Sequence, residues 1–213
     1  MTARAQMPVF VFDFARVLFD WQPEALLRRL LPQRAVDAAS AQHWVAQIFQ
    51  SYGGDWADFD RGTVTPEALA PRIAIRTGLS VAEVLAVIHA VPGSMSLLAD
   101  SVALVQRLKR PGQPMFFLSN MPAQYADHLE RHHDFLRGFD DGVFSSRVQW
   151  IKPEPAIFAL ASQRFGVPSG ELVFLDDHLP NVLAARAAGW RALVFSDAAQ
   201  AERDLRDAGW WPG

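Results

Sequence analysis

The sequence of 213 residues contains no cysteine, which excludes disulfide bonds, thiol catalysis and cysteine-ligated zinc sites. It also lacks an excess of positive charge. Its 20 lysines and arginines against 23 acidic residues give a net charge of -3, which argues against a nucleic-acid-binding protein. No apolar run approaches the roughly 20 residues of a membrane span, and the first residues lack the apolar stretch of a secretory signal. These absences predict a cytoplasmic protein without nucleic-acid or membrane partners.

Half of the residues are hydrophobic, which is enough for a compact domain with a sizeable interior. Four short runs rich in Val, Phe and Leu predict buried strands: VFVFD, MFFLS, LVFLD and RALVF. Amphipathic stretches alternate with the later runs, and this alternation is typical of a parallel sheet covered by helices on both faces. We therefore expect an α/β protein with a Rossmann-like core.

Residues 21–93 follow a different pattern, because they contain no strand run. Four stretches in this part predict helices: QPEALLRRLL, AQHWVAQIFQ, TPEALAPRIA and SVAEVLAVIHA. Ser80 followed by Glu83 is a capping-box pattern, and Thr65 before Pro66 is typical of a helix start. The segment YGGDWADFDRG is expected to be a loop or a simple connection. The predicted organisation is a core of residues 1–20 and 94–213 with a helical insertion at 21–93.

Polar side chains follow several of the predicted strands. They are Asp13, Ser119, Asn120, Asp176 and Asp177, and Lys152 stands just before a predicted helix. Each alone has an ordinary structural interpretation, as a turn residue, a helix cap or a solvated lysine. Two adjacent acids repel each other, however, unless a cation or hydrogen-bond donors compensate. Because ligands of open α/β sheets bind outside the carboxyl ends of the strands, we expect these residues to meet at one edge.

Four segments resemble the motifs of the haloacid dehalogenase superfamily, most of whose members are magnesium-dependent phosphatases. The segments are FDFARVLFD, LSN, the lysine of IKPEPAIF, and FLDDHLPNVLAARAAGW. The resemblance covers nearly the whole chain, and the helical insertion stands where this superfamily places its first type of cap. The nearest subgroup is the sugar-phosphate phosphatases whose first motif reads FDLG-V. The resemblance thus implies hydrolysis of a small phosphorylated metabolite.

The resemblance also implies roles for the acidic residues. Asp13 would be the nucleophile that forms an aspartyl-phosphate. Mg²⁺ would be held by Asp13 and Asp177, with Asp176 bound directly or through water and the backbone carbonyl of Ala15 as a further ligand. Magnesium prefers oxygen ligands and keeps several waters, so few carboxylates are enough.

The remaining motif residues would bind the phosphoryl group. Ser119 and Lys152 would hold its oxygens, and the backbone N–H groups of Phe14 and Asn120 would add donors. Asn181 would brace the acidic loop or Lys152. Little covalent work remains beyond positioning and charge neutralisation.

Ala15 departs from the superfamily pattern, which usually places a second aspartate there to protonate the leaving oxygen and activate water. Such general acid–base assistance is worth roughly 10²–10⁴-fold in rate. A good leaving group could need no proton, another group could supply it, or the protein could bind a phosphorylated ligand with weak or no turnover. The nearby groups considered as proton carriers are Arg16, Asp20 and His178, and Asp20 is also expected to cap the following helix.

A haloacid dehalogenase is a further alternative, because that branch also lacks the second aspartate. It uses a nucleophilic aspartate without magnesium, and a serine-containing pattern replaces its acidic pair. The presence of Asp176 and Asp177 therefore favours a metal and a phosphate over halide release.

Overall fold

A five-stranded parallel sheet forms the centre of the protein in the computed structural model, which describes residues 7–212. The strands are β1 (Val9–Phe12), β2 (Phe19–Asp20), β3 (Ser96–Leu97), β4 (Phe116–Ser119), β5 (Asp141–Phe144), β6 (Leu172–Asp176) and β7 (Arg191–Val194). The large sheet has the order β5-β4-β1-β6-β7, with every neighbouring pair parallel. The four predicted strands are confirmed. Strand β5 was missed because its sequence, DGVF, has only two apolar residues.

Eleven α-helices are present among the described residues. They are α1 (Pro23–Leu30), α2 (Ala38–Phe49), α3 (Gly54–Asp60), α4 (Pro66–Thr77), α5 (Val81–Ala90), α6 (Ala99–Leu108), α7 (Ala123–His132), α8 (Ser145–Val148), α9 (Pro155–Phe165), α10 (Leu179–Ala187) and α11 (Ala198–Asp207). Helices α1 to α5 all lie between β2 and β3, in the part of the chain for which the sequence predicts helices. Within residues 7–212, no helix is both long and apolar enough to cross a membrane.

The helix-start signals of the insertion act as predicted. Ser80 accepts a hydrogen bond from the backbone N–H of Glu83, and Glu83 accepts one from the N–H of Ser80 in return, so the capping box is formed. The Thr65 side chain accepts from the N–H of Ala68, with Pro66 in the first turn.

Helix α3 corrects the expectation of a loop or a connection in YGGDWADFDRG. Trp56 and Phe59 are each only 3% exposed. Their rings meet edge to face with centroids 5.5 Å apart, and Trp56 also packs against Phe49. Burial of large aromatic side chains stabilises this helix although it begins at a glycine, the residue that costs a helix most backbone entropy.

The small antiparallel pair β2–β3 brings the two ends of the insertion together, with Phe19 opposite Leu97 and Asp20 opposite Ser96. The proposed cap boundaries at residues 21 and 93 lie beside this pair. The division of the chain into core and cap is our proposal, and residues 1–6 and 213 of the proposed core lie outside the described residues.

Strand β1 occupies the middle of the large sheet and is buried throughout. Phe12 lies opposite Phe117 of β4 on one side and opposite Leu175 of β6 on the other. The carboxyl ends of β4, β1 and β6 therefore lie side by side. This topology places Ser119, Asp13 and Asp176, from distant parts of the chain, at one edge of the sheet.

Candidate active site

Lys152 joins two carboxylates at this edge. Its Nζ lies 2.7 Å from Oδ1 of Asp13 and 2.6 Å from Oδ2 of Asp176. All three side chains are buried, at 4%, 6% and 0% exposure respectively. A buried charge is tolerated only when it is paired and hydrogen-bonded, so the three groups stabilise one another as a unit.

Asp177 completes a group of three carboxylates with Asp13 and Asp176. One oxygen from each lies within 4.8 Å of the others. The guanidinium Nε of Arg16 lies 3.5 Å from Oδ2 of Asp177, although the Arg16 side chain is largely exposed. Hard divalent cations prefer such sets of oxygen ligands, so the residues present fit a metal ion such as Mg²⁺.

The electrostatics of the group reflect its burial. Burial raises the pKa of Asp13 to about 7, although Lys152 opposes the rise. Burial disfavours the charge on Lys152, but the carboxylates of Asp13 and Asp176 outweigh it and raise the pKa of Lys152 above its ordinary value. Burial and then the neighbouring Asp176 raise the pKa of Asp177. A cation between the carboxylates would relieve their mutual repulsion.

Asp176 is also held by donors from its own loop and from α10. The backbone N–H of His178 donates to its Oδ1 at 2.8 Å. Asn181 Nδ2 lies 3.1 and 3.0 Å from the two carboxylate oxygens. Asn181 thus contacts the acidic loop, which is one of the two partners expected for it, the other being Lys152.

The Asn120 side chain positions Lys152, a contact that the sequence did not predict. The Asn120 side chain accepts from the backbone N–H of Lys152 at 2.8 Å and donates to the Lys152 carbonyl at 2.9 Å. These reciprocal bonds tie the loop after β4 to the segment before α9. Sequence reasoning had considered Asn120 as a helix cap or through its backbone N–H, because nothing local shows that residues 120 and 152 meet.

Three donors at the ends of β1 and β4 have no protein partner among the described residues. Ser119 Oγ is buried without a hydrogen bond. The backbone N–H groups of Phe14 and Asn120 also lack acceptors in the described part of the chain. The Phe14 ring is fully buried against Phe117 and Phe144, so only its backbone is available. Unsatisfied buried donors are rare in proteins and are typical of a site that receives an acceptor-rich ligand.

Ala15 lies half-buried directly after Phe14, and its methyl group brings no titratable atom to the site. Arg16, the next residue, has a left-handed backbone with φ of 63° and contacts Asp177. His178 is exposed beside the acidic pair. Asp20 does not cap α1, contrary to expectation, because it accepts from the Gln22 side chain while Gln22 itself occupies the cap position.

Sequence reasoning missed Asp60, the last residue of α3. Its side chain is 4% exposed, and it interacts electrostatically with Lys152 and Asp13. The only local signal was an acid between Phe59 and the Arg61-Gly62 turn. This signal did not indicate a buried acid, because the segment was expected to be a loop or a connection.

The arrangement brings ligand groups of two kinds to one edge of the sheet. Three carboxylates can hold a divalent cation, while Lys152, Ser119 and two free backbone N–H groups can hold an anion. A family model for haloacid dehalogenase-like hydrolases matches residues 7–189. The chain belongs to this family. Its α/β fold and its membership, both expected from the sequence, are confirmed.

Individual members of the family extend the comparison. The sesquiterpene phosphatase astK of Aspergillus oryzae is 27% identical over 198 residues, covering 92% of this chain and 93% of the relative. The (S)-2-haloacid dehalogenase H-109 of Pseudomonas putida is 28% identical over 118 residues, 52% of this chain and 53% of its own length. A family enzyme of Bacteroides thetaiotaomicron, solved with magnesium and inorganic phosphate, matches 88% of this chain and 93% of its own. Its TM-score is 0.67 at 18% identity, which shows a shared fold.

Proposed function

We propose that this haloacid dehalogenase-like hydrolase is a magnesium-dependent phosphatase that acts on a small phosphomonoester through an aspartyl-phosphate on Asp13. The observation that carries the proposal is the convergence of Asp13, Lys152, Asp176 and Asp177 at one sheet edge. A haloacid carries one negative charge and needs no metal. A phosphomonoester carries two, which suits a site that offers Lys152, unpaired donors and three carboxylates able to hold a cation.

Asp13 directly follows strand β1 and is the nucleophile of the reaction. A carboxylate oxygen of Asp13 attacks phosphorus, the bond to the ester oxygen breaks, and the alcohol leaves. Water then attacks the phosphorus of the aspartyl-phosphate and releases inorganic phosphate and the Asp13 carboxylate. Placing this nucleophile on a buried strand keeps its geometry fixed, since strands position groups more precisely than loops.

Lys152 and Ser119 hold the non-reacting phosphoryl oxygens, together with the backbone N–H groups of Phe14 and Asn120. The magnesium ion would be held by Asp13, the Ala15 carbonyl, Asp176 and Asp177. When bound, it supplies charge neutralisation for the phosphoryl oxygens. Asn181 and the N–H of His178 keep Asp176 in place for this role. Such preorganised donors and charges provide most of the rate enhancement in phosphoryl transfer.

The relatives support the phosphatase over the dehalogenase. The chain spans nearly the whole Aspergillus phosphatase but about half of the Pseudomonas dehalogenase. The first relative brings isoprenoid monophosphates into consideration beside the sugar phosphates implied by the FDLG-V resemblance. The alcohol of the substrate is therefore best identified by experiment.

The deciding experiment is phosphate release from a panel of sugar, polyol and isoprenoid monophosphates, with Mg²⁺ or with EDTA. We expect at least one ester to be hydrolysed with Mg²⁺ and none with EDTA, and we expect Asp13→Asn to be inactive. Chloride release from 2-chloropropionate without metal would instead identify a dehalogenase. Full activity of Asp13→Asn would reject the nucleophile.

A phospholigand-binding protein with weak or no turnover is the second candidate, and Ala15 is the observation that favours it. This candidate predicts saturable binding of phosphate with negligible hydrolysis. It also predicts that Ala15→Asp raises hydrolysis by restoring the usual proton carrier, whereas a wild type with efficient turnover would reject it.

A further inference from the structure

Asp60 is a buried acidic residue that the roles assigned so far leave unexplained. It ends α3 and is 4% exposed. Among the described residues, no hydrogen bond or ion pair reaches its side-chain oxygens, and none joins it to the acidic group of Asp13, Asp176 and Asp177. Buried carboxyl groups in proteins are normally paired, so an unpaired one calls for a functional explanation.

The end of α3 is fastened to the core beside the active-site loops. Ser145 Oγ donates to the Asp60 carbonyl at 2.5 Å and accepts from the N–H of Met121 at 2.8 Å. Gly62 has φ of 79°, and a side chain there would meet the Ser146 carbonyl at 2.6 Å, so only glycine permits this approach. The backbone of Asp60 is thereby held next to the loop that contains Asn120.

A second connection fastens the same turn beside Lys152. The Arg61 guanidinium donates to both oxygens of Glu154, at 2.8 and 2.6 Å. Glu154 follows Lys152 by two residues and also accepts from the N–H of Ile151. The two connections together bring the last turn of α3 over the sheet edge that carries the nucleophile.

The electrostatics agree with this placement. Burial raises the pKa of Asp60 to about 8, with Lys152 opposing and Asp13 adding to the rise. The pKa of Tyr125 is raised first by its own burial and then by Asp60. Among the described residues, Lys152, Asp13 and Tyr125 are the titratable groups that interact electrostatically with Asp60. A pKa raised in this way favours the protonated form of the carboxyl group at neutral pH.

We propose that Asp60, carried by the helical insertion, is the general acid and base that the alanine at position 15 cannot be. The proposal rests on the proposed phosphatase function and names the residue that completes it. The insertion would then take part in the chemistry, because the proton carrier reaches the site only when α3 is docked on the core.

The proton balance of both steps is complete. As Asp13 attacks phosphorus, the bond to the ester oxygen breaks, and that oxygen takes the Asp60 proton and leaves as the alcohol. The resulting Asp60 carboxylate then takes a proton from water as the water oxygen attacks the aspartyl-phosphate. The bond between phosphorus and Asp13 breaks, and Asp60 is again protonated.

The test compares Asp60→Asn with Asp58→Asn, a control on the same helix whose carboxylate forms an exposed ion pair with Arg72. Two substrates separate the steps: the best alkyl phosphomonoester of the panel, and 4-nitrophenyl phosphate, whose leaving group needs little protonation. We expect Asp60→Asn to lower kcat for the alkyl ester by about 10²–10⁴-fold. With 4-nitrophenyl phosphate it should release one equivalent of nitrophenol rapidly and accumulate phosphorylated Asp13, detected by intact-protein mass.

The outcomes distinguish this inference from the function on which it rests. The nitrophenol burst shows that the variant is folded with an assembled site, and Asp60→Glu should recover part of the lost rate. If Asp60→Asn and Asp58→Asn had equal kinetics, the role of Asp60 would be overturned, whereas the phosphatase function would stand. An equal loss on both substrates without phosphoenzyme would do the same. A wild type inactive on every ester would overturn the phosphatase and this role together.

Discussion

Lys152 Nζ and Asp13 Oδ1 lie 2.7 Å apart in a setting almost closed to solvent. Lys152 therefore places one positive charge between two buried carboxylates, those of Asp13 and Asp176. The buried group of Lys152, Asp13 and Asp176 leads to two separate predictions, one for the stability of the protein and one for metal binding.

Replacing Lys152 with methionine should destabilise the protein. Removing one partner of a buried ion pair leaves an uncompensated charge and typically costs about 3–5 kcal/mol. We expect a loss of this size in the free energy of unfolding, measured by urea denaturation in EDTA, and expect Mg²⁺ to recover part of it. Lys109→Met, which removes an exposed ion pair with Asp140, is the matched control and should cost less than about 1 kcal/mol. Similar losses in both variants would contradict the buried-pair interpretation.

Magnesium should stabilise the wild type through the acidic group. A ligand that binds only the folded state adds about 2.7 kcal/mol at a hundred times its Kd. We expect the melting temperature to rise with Mg²⁺ in a saturable manner and expect Asp177→Asn to lose most of this rise. The control is Asp134→Asn, since Asp134 is largely exposed and, among the described residues, forms an ion pair with Arg137 alone. A rise that persists in Asp177→Asn would place the ion elsewhere.

Asn120→Ala should impair catalysis through the position of Lys152. The substitution removes both reciprocal bonds and leaves the Lys152 N–H and carbonyl unsatisfied, at a cost of about 1–3 kcal/mol. We expect at least a tenfold fall in kcat/KM for the best phosphomonoester, together with this loss of stability in urea. Asn120→Asp keeps the acceptor for the Lys152 N–H. Its kcat/KM and its stability should lie between those of the wild type and of Asn120→Ala. If Asn120→Ala loses stability but keeps full activity, the bonds serve the fold alone.

Asp60 should make stability depend on pH. Its pKa is raised from 3.8 to about 8 by burial, so the folded state binds more protons than the unfolded state between these values. Stability from this group is therefore complete below about pH 4 and is lost as the pH rises through about 8. Relative to wild type, Asp60→Asn should gain up to about 1.4 kcal/mol per pH unit across this window. Urea denaturation in EDTA at several pH values measures the difference, and Asp58→Asn, a substitution of an exposed acid on the same helix, is the control.

Much of the site could be predicted from the chain because its residues follow recognisable local patterns. Apolar strands that stop at Asp13, Ser119 and Asp176 show where the sheet ends, and parallel pairing requires those ends to share an edge. Helix starts at Thr65 and Ser80 depend on neighbours within four residues. Such local determinants are present in the sequence itself.

Other features depend on contacts between segments that are distant in sequence, so local patterns could not predict them. Asn120 and Lys152 are 32 residues apart, and their reciprocal bonds exist only because β4 and the segment before α9 meet. Helix α3 forms because Trp56 and Phe59 are buried against other elements, which outweighs its glycine-rich start. Burial raises the pKa of Asp60, and Asp13 adds to the rise while Lys152 opposes it, so the proposed role of Asp60 depends on contacts between distant segments.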